Sequence, residues 1–147
     1  MRTRALLVTA AAVVLLPLSA CSREAGPTPK AAAPDPGPAE LRVKLEALTV
    51  DVCFTDPREM DPPGCQKYVT QLGTIPGTAQ KFAGTEHPEL AGAGRSLDKA
   101  IRAYRDNTCG TEGAADACTQ ALVDMSTALG QVEAHLAKLP EVSTQSS

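Results

Sequence analysis

Tryptophan is missing from this chain, and its 147 residues include only two tyrosines and two phenylalanines. A core without large rings has to be built from Leu, Val, Ile and Ala, each of which removes less apolar surface from water than an aromatic side chain does. Such a core is shallow. In a domain of about 100 residues, burial only narrowly exceeds chain entropy, so crosslinks are a natural supplement. Basic charge is also scarce: 14 Lys and Arg stand against 17 Asp and Glu, for a formal net charge of -3. Nucleic acid is not an expected partner, because binding it needs a concentrated basic surface. No strand-like alternation and no internal repeat is present. The chain has no Gly-x-Ser-x-Gly, no phosphate-cradling glycine loop, no Cys-x-x-Cys and no Cys-x-x-Cys-His. Ser126 has no base near it in sequence, and no enzyme activity is expected.

What is present begins at the N-terminus. Arg2 and Arg4 precede an apolar run from Ala5 to Leu16, and small residues then lead to a cysteine. The run is short for a bilayer and has the layout of an export signal. Leu18-Ser19-Ala20-Cys21 resembles the lipobox of bacterial lipoproteins. The resemblance implies that residues 1–20 are removed and that Cys21 receives a diacylglycerol. The membrane is then a partner through that lipid, and the mature chain is held at the outer face of the cytoplasmic membrane, or in an outer membrane where one exists. Residues 21–38 follow as a tether, with five prolines and two glycines between Ser22 and Pro38. Extended at about 3.1 Å per residue, the tether reaches roughly 50 Å.

Assigning Cys21 to the lipid leaves Cys53, Cys65, Cys109 and Cys118. An even number in an oxidising compartment argues for two disulfides, and the spacings are not those of zinc sites. Four cysteines allow three connectivities. Nearest-neighbour pairing, Cys53 with Cys65 and Cys109 with Cys118, is preferred because it staples two helix-helix turns.

Helical periodicity runs through residues 39–140. A first helix from Ala39 to Phe54 carries Leu41, Leu45, Leu48 and Val52 on one face, with Val43 and Val50 widening it. The proline-rich stretch 55–64 is a loop. A second pattern, Cys65, Tyr68, Val69, Leu72 and Ile75, resumes at Ala79, Phe82 and Ala83 after a kink or short break near Thr74 to Gly77, where Pro76 interrupts the backbone ladder. Pro88 suits the first position of a third helix, with Leu90, Ala93, Leu97, Ile101 and Tyr104 as its stripe and Gly92 and Gly94 as weak points. The fourth stripe is a heptad seam: Cys118, Leu122, Met125, Leu129, Val132, Leu136 and Leu139, ended by Pro140. Residues 141–147 form a polar tail. The predicted fold is all-α, an antiparallel up-down four-helix bundle with two disulfides.

An up-down bundle gathers both disulfides at one end, away from the tether, together with acidic turn residues. Asp56, Glu59, Asp61, Glu112 and Asp116 form the candidate partner surface. Solvated turns are often acidic without a function, and the spacing is not that of a calcium loop. A basic line, Arg95, Lys99 and Arg102, could touch anionic headgroups or cell-wall polymers, or serve only as a solvated face. Glu86-His87 falls in a loop and His135 on the flank of the fourth helix, so neither supplies the Glu-x-x-His spacing of di-metal bundles, and no metal, haem or other cofactor is expected. The functional expectation is a lipid-anchored, extracytoplasmic, non-catalytic module that binds an envelope protein or polymer. The alternative is a small apolar ligand held between helices near Pro76; a well-formed pocket there favours it, whereas a filled core favours the interaction module.

Overall fold

Helix is the only regular structure among residues 37–140, the part of the chain that the computed structural model describes. Residues 1–20, Cys21, the tether up to residue 36 and the tail 141–147 lie outside the described residues. α1 (Pro38–Thr49) starts on a proline, whose missing N–H has no partner to lose at that position, and buries Leu41, Leu45 and Leu48. It does not continue to Phe54. Asp51 adopts extended backbone and its carboxylate accepts the Cys53 N–H at 2.8 Å, capping a separate short helix, α2 (Val52–Thr55).

That restart corrects the sequence reading of the last turn. Val52 leaves the buried stripe and is 55% exposed, while Val43 and Val50, at 66% and 76%, do not widen it. Rotation at the Asp51 cap instead turns Cys53 inward, and Phe54 packs partly buried against the core.

Where the predicted loop meets the second helical pattern, Pro62–Cys65 form a 3-10 turn that leads into α3 (Gln66–Leu72). The chain breaks at Gly73 and Thr74, before Pro76 rather than at it. α4 (Ile75–Ala83) takes the proline into its first turn, where no hydrogen bond is sacrificed. Tyr68, Val69, Leu72, Ile75, Ala79 and Ala83 are buried across the break, so the apolar phase is kept.

α5 (Pro88–Asp106) and α6 (Ala115–Leu136) pack along each other, α4 lies on α5, and α1 and α2 lie on α6. The stripes of α5 and α6 are buried as their periodicity implies, through to Leu139. Gly94, a weak point in propensity, has a packing reason: a Cβ there would stand 3.0 Å from the Pro76 carbonyl and 3.1 Å from Gln80 Cγ, so its absence lets α5 approach α4.

Long-range polar contacts tie the elements. Arg42 Nη2 donates to the Leu136 and Leu139 carbonyls at 3.1 and 2.7 Å, placing a cation on the negative end of α6 and fixing the start of α1 beside it. Ser126 Oγ donates to the Phe54 carbonyl at 2.8 Å, and Tyr104 Oη donates to the Pro62 carbonyl at 2.5 Å.

The Tyr68 hydroxyl stands apart from these, because it is buried without a hydrogen-bond partner on a side chain only 3% exposed. Burial, reinforced by the nearby Asp51 carboxylate, raises its pKa; burial and then Asp61 raise that of Tyr104. A raised folded-state pKa means that stability is intact below the unfolded value of about 10 and is lost as pH climbs beyond it. Each tyrosine still protonated in the fold contributes a slope of about 1.4 kcal/mol per pH unit. Tyr68→Phe is expected to flatten that alkaline loss and to raise stability near neutrality by about 1 kcal/mol, since a solitary buried hydroxyl is costly. Urea melts of both proteins at pH 7 and above pH 10 measure this. A Phe variant that is weaker at pH 7, with an unchanged alkaline slope, would show that the hydroxyl has a partner.

Candidate contact surface at the disulfide end

Two disulfides bound this surface. Cys53 is bonded to Cys65 and Cys109 to Cys118, with Cα separations of 5.8 and 5.3 Å. The first links α2 to the 3-10 turn; the second bridges the connection between α5 and α6. The two lie side by side. Gln66, next to Cys65, reaches Gly110, next to Cys109, so closely that a Cβ on Gly110 would collide with its amide. The Tyr104 bond to Pro62 fastens the 3-10 turn to the last part of α5 at the same end. Arg42 marks the opposite end, where α1 begins and α6 finishes. The rise from Cys118 to Leu136 along α6 puts about 27 Å between them.

Asp56, Glu59, Asp61, Glu112 and Asp116 are all exposed. Thr55 Oγ1 donates to the Asp56 carboxylate at 2.7 Å, and the Asp56 carbonyl accepts the Glu59 N–H at 3.0 Å, which holds this loop as a tight turn. Asp61 precedes the 3-10 turn, and its carbonyl accepts the Gly64 N–H at 2.9 Å. Asp116 sits in the first turn of α6, where the helix dipole favours a negative charge. The fold therefore brings both halves of the acidic set to one end. Arg58, Lys67 and Arg105 are exposed there too.

Sequence reasoning gave no sign of the shape of the second turn. Thr108 has φ 53, a left-handed conformation unusual for a β-branched residue. Its N–H bonds to the Arg105 carbonyl at 3.0 Å, its carbonyl accepts the Thr111 N–H at 3.0 Å, and the adjoining Cys109 is held by its disulfide and by the Tyr104 carbonyl. The turn borders a crevice of about 370 Å³ lined by Gln66, Tyr104, Arg105, Thr108, Gly110 and Thr111. Nothing in the run Asn107-Thr108-Cys109-Gly110-Thr111 signals this; the disulfide and the backbone bonds impose it.

The other candidate residues lie elsewhere. Arg95, Lys99 and Arg102 are exposed along α5, and Arg102 pairs with Asp98 at 2.5 Å, so the basic line is partly neutralised on its own helix. The Ser126 hydroxyl is committed to the Phe54 carbonyl. Among the described residues no group of three or more His, Cys, Asp or Glu is placed to hold a metal ion, and no helix is long and apolar enough to cross a membrane. No protein-family model, curated protein or solved structure matches the chain.

Proposed function

We propose that this protein is an exported lipoprotein, anchored through Cys21, whose helical domain is an antiparallel four-helix bundle that docks its acidic disulfide end on a basic partner in the cell envelope. One observation carries the reading. Asp56, Glu59, Asp61, Glu112 and Asp116 are exposed on two adjacent turns whose backbones are fixed by disulfides, at the end farthest from where the chain enters α1. An immobilised turn loses less conformational freedom on docking than a free one, which favours binding there. Disulfides also fit an oxidising compartment outside the cytoplasm. The bundle arrangement is supported by α1 entering beside the end of α6 and by the two stapled turns sharing the other end.

A small apolar ligand near Pro76 is less well supported. The crevice closest to that place, about 240 Å³, is lined by Glu40, Lys44, Thr74 and Thr78 as well as Leu41 and Ile75, and Lys44 Nζ bonds Thr74 Oγ1 at 3.0 Å there. Pro76 itself is buried, with its carbonyl close under Gly94.

Crosslinking in intact cells tests the proposal. The triple variant Asp56→Asn, Glu59→Gln and Asp61→Asn is expected to lose most of its crosslinked species while keeping its stability within about 0.5 kcal/mol, because these are exposed charges. Cys21→Ala is expected to leave the membrane fraction or to persist as precursor. Undiminished crosslinking by the triple variant, together with its loss on replacing Arg95, Lys99 and Arg102, moves the working surface to the face of α5. Membrane retention of Cys21→Ala at mature size removes the lipid anchor.

A further inference from the structure

Opposite the disulfide end, the fold joins two residues that the sequence keeps far apart. The chain has two histidines, and both line one crevice of about 260 Å³ together with Glu89, Leu90 and Lys138. His87 is the residue from which α5 starts, and its backbone is pinned on both sides: its N–H donates to the Ala83 carbonyl and its carbonyl accepts the Ala91 N–H, each at 3.1 Å. His135 lies in the last turn of α6, with its carbonyl accepting the Lys138 N–H at 3.2 Å. Both rings are half-buried and are carried by backbone that packing already orders.

Neither ring is held by a polar contact. His87 makes no side-chain cap on α5, and among the described residues no hydrogen bond or ion pair engages either imidazole, the Glu89 carboxylate or the Lys138 ammonium. Two imidazoles that line one crevice beside a carboxylate and make no hydrogen bond are a nitrogen-rich donor set. Imidazole suits Zn²⁺, Cu²⁺ and Ni²⁺, whereas Mg²⁺ and Ca²⁺ favour sites built from oxygen.

The geometry points to a two-histidine site, His87 with His135, that chelates a borderline divalent cation such as Zn²⁺, Cu²⁺ or Ni²⁺. Three protein ligands are not assembled at one point, so the ion keeps waters in its remaining positions and Glu89 assists by its charge and through a bound water. Lys138 opposes the cation. A site with two protein ligands holds its ion less tightly than a closed four-ligand site, and the ion clamps the start of α5 to the end of α6. The histidine crevice and the acidic contact surface share no residue.

The test is calorimetric titration of ZnCl₂, NiCl₂ and MgCl₂ into the oxidised, tag-free mature chain bearing Cys21→Ser, so that no free thiol competes. One Zn²⁺ or Ni²⁺ per chain is expected, with no Mg²⁺ uptake and a rise in melting temperature on Zn²⁺ addition. His87→Gln and His135→Gln should each weaken binding by at least about tenfold, a loss that even outer-sphere changes can cause. Glu89→Gln should weaken it less, and Lys138→Gln should tighten it. Melts of each variant without metal separate loss of binding from loss of fold. The proposal is overturned if the double histidine variant binds as the parent does, or if only one histidine matters. Mg²⁺ binding with the affinity of Zn²⁺ would likewise mark general charge attraction.

Discussion

Replacing either cysteine pair with alanines is expected to lower the melting temperature of the domain by roughly 10–20 °C, and replacing both is expected to leave it largely unfolded at 37 °C. The bridges span 12 and 9 residues. Loop-closure entropy for crosslinks of that span gives about 2.5–3 kcal/mol each, and in a domain of about 100 residues each kcal/mol corresponds to about 4–8 °C. Domains of this size have about 5–15 kcal/mol in total, so the two bridges together, at about 5–6 kcal/mol, equal the low end of that range. The shallow aliphatic core is the physical reason for the dependence. All four cysteines are nearly inaccessible in the fold, at 4% exposure or less. Reduction of the wild-type protein should therefore be slow under native conditions and fast in mild denaturant, because a thiolate has to wait for the end to open. Circular-dichroism melts of the three alanine variants decide the matter; a double-pair variant melting within a few degrees of the parent would show that packing alone suffices.

Legibility in the sequence followed the strength of the local signal. α5 and α6 were readable because Leu90, Ala93, Leu97, Ile101 and Tyr104, and the seam from Cys118 to Leu139, repeat at helical spacing over many turns. α1 failed at its end because periodicity extrapolates through Val52, whereas Asp51 offers its carboxylate to the Cys53 N–H and restarts the helix. Gly73 and Thr74, not Pro76, host the second break, since a proline is harmless once it stands in a first turn. The acidic residues were legible as turn residues. Their arrangement on two abutting turns was not, because it depends on Gln66 meeting Gly110 and Tyr104 meeting Pro62, contacts between segments far apart in the chain. The histidine crevice was hidden for the same reason, as a loop residue and a helix-flank residue meet only when α5 and α6 lie together.

Gly113→Ala is expected to be the most damaging single methyl addition in the domain. A Cβ at that position would collide with the Asn107 carbonyl oxygen, stand 2.5 Å from Cys118 Sγ and 3.1 Å from Cys109 Cα. None of these can yield cheaply, because two are backbone atoms and the third is a disulfide sulfur. The backbone of Gly113 has no positive φ, so the objection is to the side chain and not to the conformation. Overpacking of this kind costs about 1–3 kcal/mol, and if the clash is relieved by breaking the bridge, the crosslink's contribution goes as well. The variant should therefore refold oxidatively with a fraction of molecules carrying free thiols at Cys109 and Cys118 and an intact Cys53 to Cys65 bridge, countable by alkylation and peptide mapping. Gly77→Ala supplies the opposite sign. It lies inside α4 with open space where its Cβ would stand, so it should gain up to about 1 kcal/mol in helix propensity. If both substitutions prove equally neutral, the turn from Asn107 to Ala114 is looser than its contacts imply, and the immobilised acidic end loses its structural basis.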